Sequence, residues 1–138
     1  MKGEEYLRQL LNMRNVLEEK YERICRLRVN AERITATITG MPHASGNSSS
    51  MIENYVVKIE EAEEDYLDFF NQVDMLETAV VKTFSKLSRK EYKSVIWRHF
   101  FEDDSFSDIS KDIGYCPKSV SRFYADGMAE LDLLVANA

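Results

Sequence analysis

"SFSDISKDIGYCPKSVSRFYADGMAEL", Ser105–Leu131, reads as two helices joined by three residues. Ser105 with Asp108 three positions on gives the S-x-x-D signature of a capped helix start. Ile109 and Ile113 then fall one turn apart on one face. Gly114 stands where a helix ends at positive φ. Pro117 occupies the first turn of the next helix, where its missing N–H costs nothing. Cys116 takes the N-cap slot, in which Ser or Thr would cap better. The second helix offers Val120, Phe123, Tyr124, Met128 and Leu131 for packing, and Gly127 inside it carries a cost of about 1 kcal/mol relative to Ala. The spacing predicts helices of about nine and about fifteen residues with a Gly-containing turn, a helix-turn-helix.

In that motif the first helix braces the second, whose N-terminal residues can reach base edges in a major groove. From Pro117 to Ala125 there are two cations and no acid. Lys118 and Arg122, four apart, share one side of the helix. An arginine there can grip guanine bidentately, and Ser119 or Ser121 can touch a base or a phosphate.

Upstream, "SRKEYKSVIWRHFFEDD", Ser88–Asp104, predicts a separate helix. Ser88 is its expected N-cap with Glu91 completing a capping box. Tyr92, Val95, Ile96, His99 and Phe100 recur at helical spacing until the acidic run Glu102–Asp104.

The first half of the chain is two long apolar stripes. Leu10, Met13, Leu17, Lys20, Ile24, Leu27, Ala31, Ile34 and Ile38 alternate spacings of three and four, with Tyr21 expected to carry the seam past Lys20. Ile52, Tyr55, Ile59, Ala62, Tyr66, Phe69, Val73, Leu76, Val80, Thr83 and Leu87 do the same. Such stripes mark helices packed along a coiled-coil seam. Between them "TGMPHASGNSSS", Thr39–Ser50, ends the first helix, connects, and offers serines to cap the second. The expected fold is all-α: a long antiparallel hairpin over residues 1–85 with a polar loop near 39–50, then a helix-turn-helix domain over 86–138.

The chain has 138 residues and a net charge of −6, unevenly spread. Residues 2–39 carry eight basic and six acidic side chains, 51–85 two and nine, and 86–138 eight and nine. The acidity belongs mainly to the second helix, and the opposite balances of the two long helices favour their pairing. No apolar run reaches the length of a membrane span, and the charged N-terminal stretch lacks the apolar block of a secretory signal. Cys25 and Cys116 have no companions at disulfide-framework or zinc spacing, so reduced thiols and a cytoplasmic location are expected. No phosphate-binding glycine loop, zinc-protease helix or Cys-x-x-Cys occurs. His43 and His99 have no metal partners in sequence. Neither an enzyme nor a cofactor or metal is expected.

Leu87–Leu131 resembles region four of bacterial sigma factors. The resemblance lies in Ile96 and Arg98 before an acidic bend, Ile109, Gly114, a cap position at Cys116, and Val120 and Phe123 three apart. The chain departs from the pattern at Cys116 and at Gly127, where Ala is usual. The whole layout is similar to small phage and prophage proteins associated with late-gene transcription. A complete sigma factor is not expected, because no basic, aromatic-rich promoter-melting segment is present. The resemblance implies a DNA-binding transcriptional regulator. Lys118, Ser119, Ser121 and Arg122 would read double-stranded DNA, and Lys90, Lys93 and Arg98 would hold phosphates. The hairpin would form a homodimer or contact RNA polymerase. Two other readings remain open. One is a small-terminase-like DNA-packaging protein, although those usually place the DNA-binding domain first. The other is a helical factor that binds polymerase without binding DNA.

Overall fold

A computed structural model of the chain describes residues 2–39 and 47–137. These form five helices in chain order: α1 (Gly3–Thr39), α2 (Asn47–Phe84), α3 (Lys90–Phe100), α4 (Phe106–Ile113) and α5 (Pro117–Ala136). The all-α hairpin followed by a helix-turn-helix is therefore the architecture. Of the connection expected at 39–50, residues 40–46, with Gly40, Pro42, His43 and Gly46, lie outside those described, as do the side chains of residues 38, 39 and 47–49. The helices themselves reach further toward it than the composition suggested. Thr39 is still helical, and α2 runs through Ser48, Ser49 and Ser50 instead of being capped by them. Serine is tolerated in a helix, if less favoured than at a cap.

By contacts the chain divides into two compact units, Met13–Asp74 and a second made of Met1–Asn12 with Met75–Ala138. The second unit thus takes in one end of each long helix as well as α3, α4 and α5.

In Met13–Asp74, α1 and α2 pack antiparallel. Lys20 Nζ lies 2.7 Å from Asp65 Oδ2, Arg28 pairs with Glu63, and the Tyr21 and Tyr66 rings are 6.0 Å apart. Among the described side chains of this seam only Ile24 and Val73 are buried, and the other apolar members are half-covered. Lys20 remains in the seam. Its stem covers apolar surface, its ammonium sits 5.3 Å from the Phe69 ring centre, and Asp65 takes its charge. Tyr21, although about half exposed, meets Tyr66 across the pair and so continues the seam beside Lys20.

The other unit holds the deep core. Leu7, Leu10, Val80, Phe84, Val95, Ile96, Ile109, Val120 and Leu131 are all fully buried. The start of α1 is tied to α5 by the Gly3 N–H, which donates to Asp132 Oδ1 at 2.6 Å. Gly127 does not shorten α5, which runs twenty residues. A Cβ at 127 would stand 2.9 Å from Tyr92 Cβ and from Ile96 Cδ1. The glycine lets α5 approach α3 closely, which explains a residue that helix propensity alone penalises.

Candidate nucleic-acid interface

Ser105 caps α4 as expected, its Oγ accepting from the Asp108 N–H at 3.1 Å. Gly114 ends α4 at φ 78°, in the left-handed region, and no atom would obstruct a Cβ there. Glycine is therefore required by backbone conformation and not by space. Ile109 from α4 and Val120 and Phe123 from α5 share a core cluster with Tyr92 and Val95 of α3. Three helices thus fix the angle of α5.

The start of α3 differs from expectation. Arg89, not Ser88, is the N-cap, and it makes no side-chain cap. Ser88 turns instead to α5, where its Oγ and N–H donate to the two carboxylate oxygens of Glu130 at 2.6 and 2.9 Å. These hydrogen bonds hold the Glu130 carboxyl below its ordinary range.

On the outer edge of α5, Lys118, Ser121 and Arg122 are exposed and Ser119 is half-buried. Neither Lys118 nor Arg122 forms an ion pair among the described residues. Desolvating neither cation in the fold leaves both charges available to a ligand. Cys116, exposed at the N-cap, places Sγ 3.2 Å from Ser119 Oγ. No backbone amide meets its sulfur in hydrogen-bond geometry. Even so, the Ser119 hydroxyl and the first-turn amides lower the thiol's pKa.

The remaining sequence candidates separate. Lys90 borders a shallow groove of about 330 Å³ shared with Glu91, Ser94, Ile113 and Tyr115, beside the helix-turn-helix corner. Lys93 borders a different, more apolar groove with Val81, Phe84 and Trp97. Arg98 is committed elsewhere. Its Nε meets Asp104 Oδ2 at 2.9 Å and its Nη2 meets Asp112 Oδ2 at 2.7 Å. Those carboxylates raise its pKa further, Asp104 contributing most. Arg98 ties α3 to the acidic bend and to α4, so its charge is already matched before any phosphate arrives. His99 packs as a core-facing side chain. Its ring stacks on Phe106 at 4.3 Å, and Nδ1 lies 2.9 Å from the Asp104 carbonyl oxygen.

Two residues that sequence reasoning did not single out join the interface. The Arg89 guanidinium lies 4.8 Å from the Phe123 ring centre and 5.7 Å from that of Tyr92, a cation held against α5 by aromatic faces. Tyr115, in the corner itself, packs edge-on against Phe123 at 4.9 Å and places its hydroxyl 3.4 Å from Glu91 Oε1. A basic residue beside a helix start carries no periodic signal. Only the three-dimensional placement of Phe123 could reveal Arg89.

Comparisons with protein-family models, with curated proteins and with solved structures gave no match. The chemistry of the interface is accordingly read from its own geometry. Among the described residues no three His, Cys, Asp or Glu side chains gather as a metal-binding group. Among the described residues no helix is long and apolar enough to cross a membrane.

Proposed function

We propose that this chain is a DNA-binding transcriptional regulator, of phage or prophage origin, that reads a major groove with the first turns of α5. One observation carries the reading: α5 is held by a three-helix core while its leading edge leaves Lys118 and Arg122 exposed and unpaired. A helix so braced presents a fixed row of donors. Arg122 supplies the bidentate contact, Lys118 and Ser121 contact phosphate or base edges, and Ser119 supports the turn through Cys116. Lys90 adds positive charge at the corner, where it would neutralise a backbone phosphate, whereas Arg89 already faces Glu91 at 3.5 Å. Arg98 drops out of the phosphate-contacting set and serves to hold α4 against α3. The net charge of −6 does not oppose this, because the acid excess resides in residues 51–85.

Selection of bound duplexes from a random DNA pool tests the reading. Enrichment of a defined motif is expected, with an affinity that falls steeply between about 50 and 200 mM salt as counterions are released. No enrichment and no binding at low salt would overturn it. Co-purification with RNA polymerase under those conditions would replace it with a polymerase-binding factor.

A further inference from the structure

Arg89 and Arg98 stand at opposite ends of α3 and are paired very differently. Arg98 is matched by two carboxylates, at 2.9 and 2.7 Å, and its side chain is 24% exposed. Arg89 has one carboxylate, Glu91 Oε2, at 3.5 Å, and is 44% exposed. A pair this long and this open contributes little to stability. What fixes Arg89 is aromatic. Its guanidinium lies 4.8 Å from the Phe123 ring centre and 5.7 Å from that of Tyr92, so the cation keeps its place without help from Glu91.

That place is beside the first turns of α5. Phe123 also carries Tyr115 on its edge at 4.9 Å, and Tyr115 stands two residues before Pro117, where α5 begins. Arg89 therefore shares its aromatic support with the corner that leads into the helix. Glu91 reaches the same corner. One of its carboxylate oxygens faces Arg89 and the other is 3.4 Å from the Tyr115 hydroxyl. Glu91 also lines the groove of about 330 Å³ that Lys90 borders. Its own backbone N–H, and then the neighbouring cations, hold its carboxyl below the ordinary range, so it is an anion at neutral pH. With α5 in a major groove, a phosphate approaching Lys90 meets that anion as well. Phosphate and carboxylate offer a guanidinium the same forked acceptors, and they compete for the open side of Arg89.

We propose that Glu91 is an internal competitor for the DNA backbone: it occupies Arg89 in the free protein and yields it to a phosphate when α5 enters the groove. The proposal rests on α5 being the helix that meets DNA. Glu91 thereby restrains the sequence-independent part of the affinity and leaves discrimination to the edge of α5.

Fluorescence polarisation of the full chain on a selected duplex and on an unrelated one, over a range of salt, tests this with Glu91→Gln, Arg89→Gln and the two combined. Glu91→Gln should bind both duplexes several-fold more tightly. It should melt no higher than wild type, because an anion in the first turn of α3 favours the helix. Affinity gained without stability is what a merely structural role would not produce. Arg89→Gln should reduce the slope of log affinity against log salt by about one. With Arg89→Gln in place, Glu91→Gln should add less affinity than it adds to wild type, since the released cation is gone. A wild type that binds no duplex at low salt overturns the DNA reading of α5 and this inference with it. Three results with a wild type that does bind overturn the inference and leave that reading standing. They are Glu91→Gln no tighter than wild type, an equal gain in both backgrounds, and an unchanged salt slope in Arg89→Gln.

Discussion

The hairpin over Met13–Asp74 and the unit built from Met1–Asn12 with Met75–Ala138 draw on the same two long helices but stabilise them differently. In the hairpin two helices share a single seam, Ile24 and Val73 are its only buried apolar members among the described residues, and exposed ion pairs line its edges. In the other unit α3, α4 and α5 join the helix ends, and nine large side chains are fully buried. Two helices have no third surface against which to close, so each side chain is covered on one side only. The difference shows where the chain can hold a site rigid. Side chains can be held in a fixed row on the densely packed unit, and the thin one leaves more apolar surface uncovered.

Truncating one side chain in each region tests this contrast most strongly. Ile109→Ala, which removes a fully buried side chain, should cost about 3 kcal/mol, whereas half-covered Leu17→Ala should cost about 1 kcal/mol or less. Denaturant titration of both variants at a protein concentration held constant measures the difference. Equal losses would break the comparison.

Gly127→Ala sharpens it. The added methyl would press on Tyr92 Cβ, which cannot retreat without moving α3. The gain in helix propensity offsets part of this, leaving an expected destabilisation of about 1–2 kcal/mol by thermal melting. A stabilised variant would show that α3 and α5 are less tightly apposed.

Ser105→Ala should cost about 1 kcal/mol through loss of the α4 cap. The effect should vanish in the Ser105→Asp variant, which restores an acceptor.

The smallest effect concerns pH. Glu130, lowered by its bonds to Ser88, stabilises the folded chain above the ordinary carboxylate pKa. That contribution is lost as pH falls through its folded value. The melting difference between wild type and Ser88→Ala should therefore be present at neutral pH and disappear in acid. A difference independent of pH would separate Ser88 from Glu130.

Much of the fold was legible because its signals are local and periodic. The stripes gave the long helices, Ser105 gave a cap, and Gly114 with Pro117 gave the corner. What escaped the sequence depends on contacts between distant residues. Ser88 has the right spacing for a capping box with Glu91, yet a carboxylate from α5 competes successfully for its hydroxyl. Gly127 reads as a weakness until Tyr92 is seen against it. Lys20 reads as a defect in the stripe until Asp65 and Phe69 receive it. In the interface, Lys118, Ser121 and Arg122 could be placed on the outer edge because helical spacing alone puts them opposite Val120 and Phe123. Arg98 could not be removed from the phosphate-binding set by spacing, since its partners Asp104 and Asp112 lie on a bend and on another helix.

The most direct measurement is DNA affinity of the Lys118→Ala, Arg122→Ala double variant against salt concentration, using a duplex recovered by selection. Both side chains are exposed, so folding and melting temperature should be unchanged. Affinity for the selected duplex should fall by roughly tenfold or more, and the slope of log affinity against log salt should shrink by about two. A variant that keeps both wild-type affinity and wild-type salt slope would contradict the assignment of this helix edge as the surface that meets DNA.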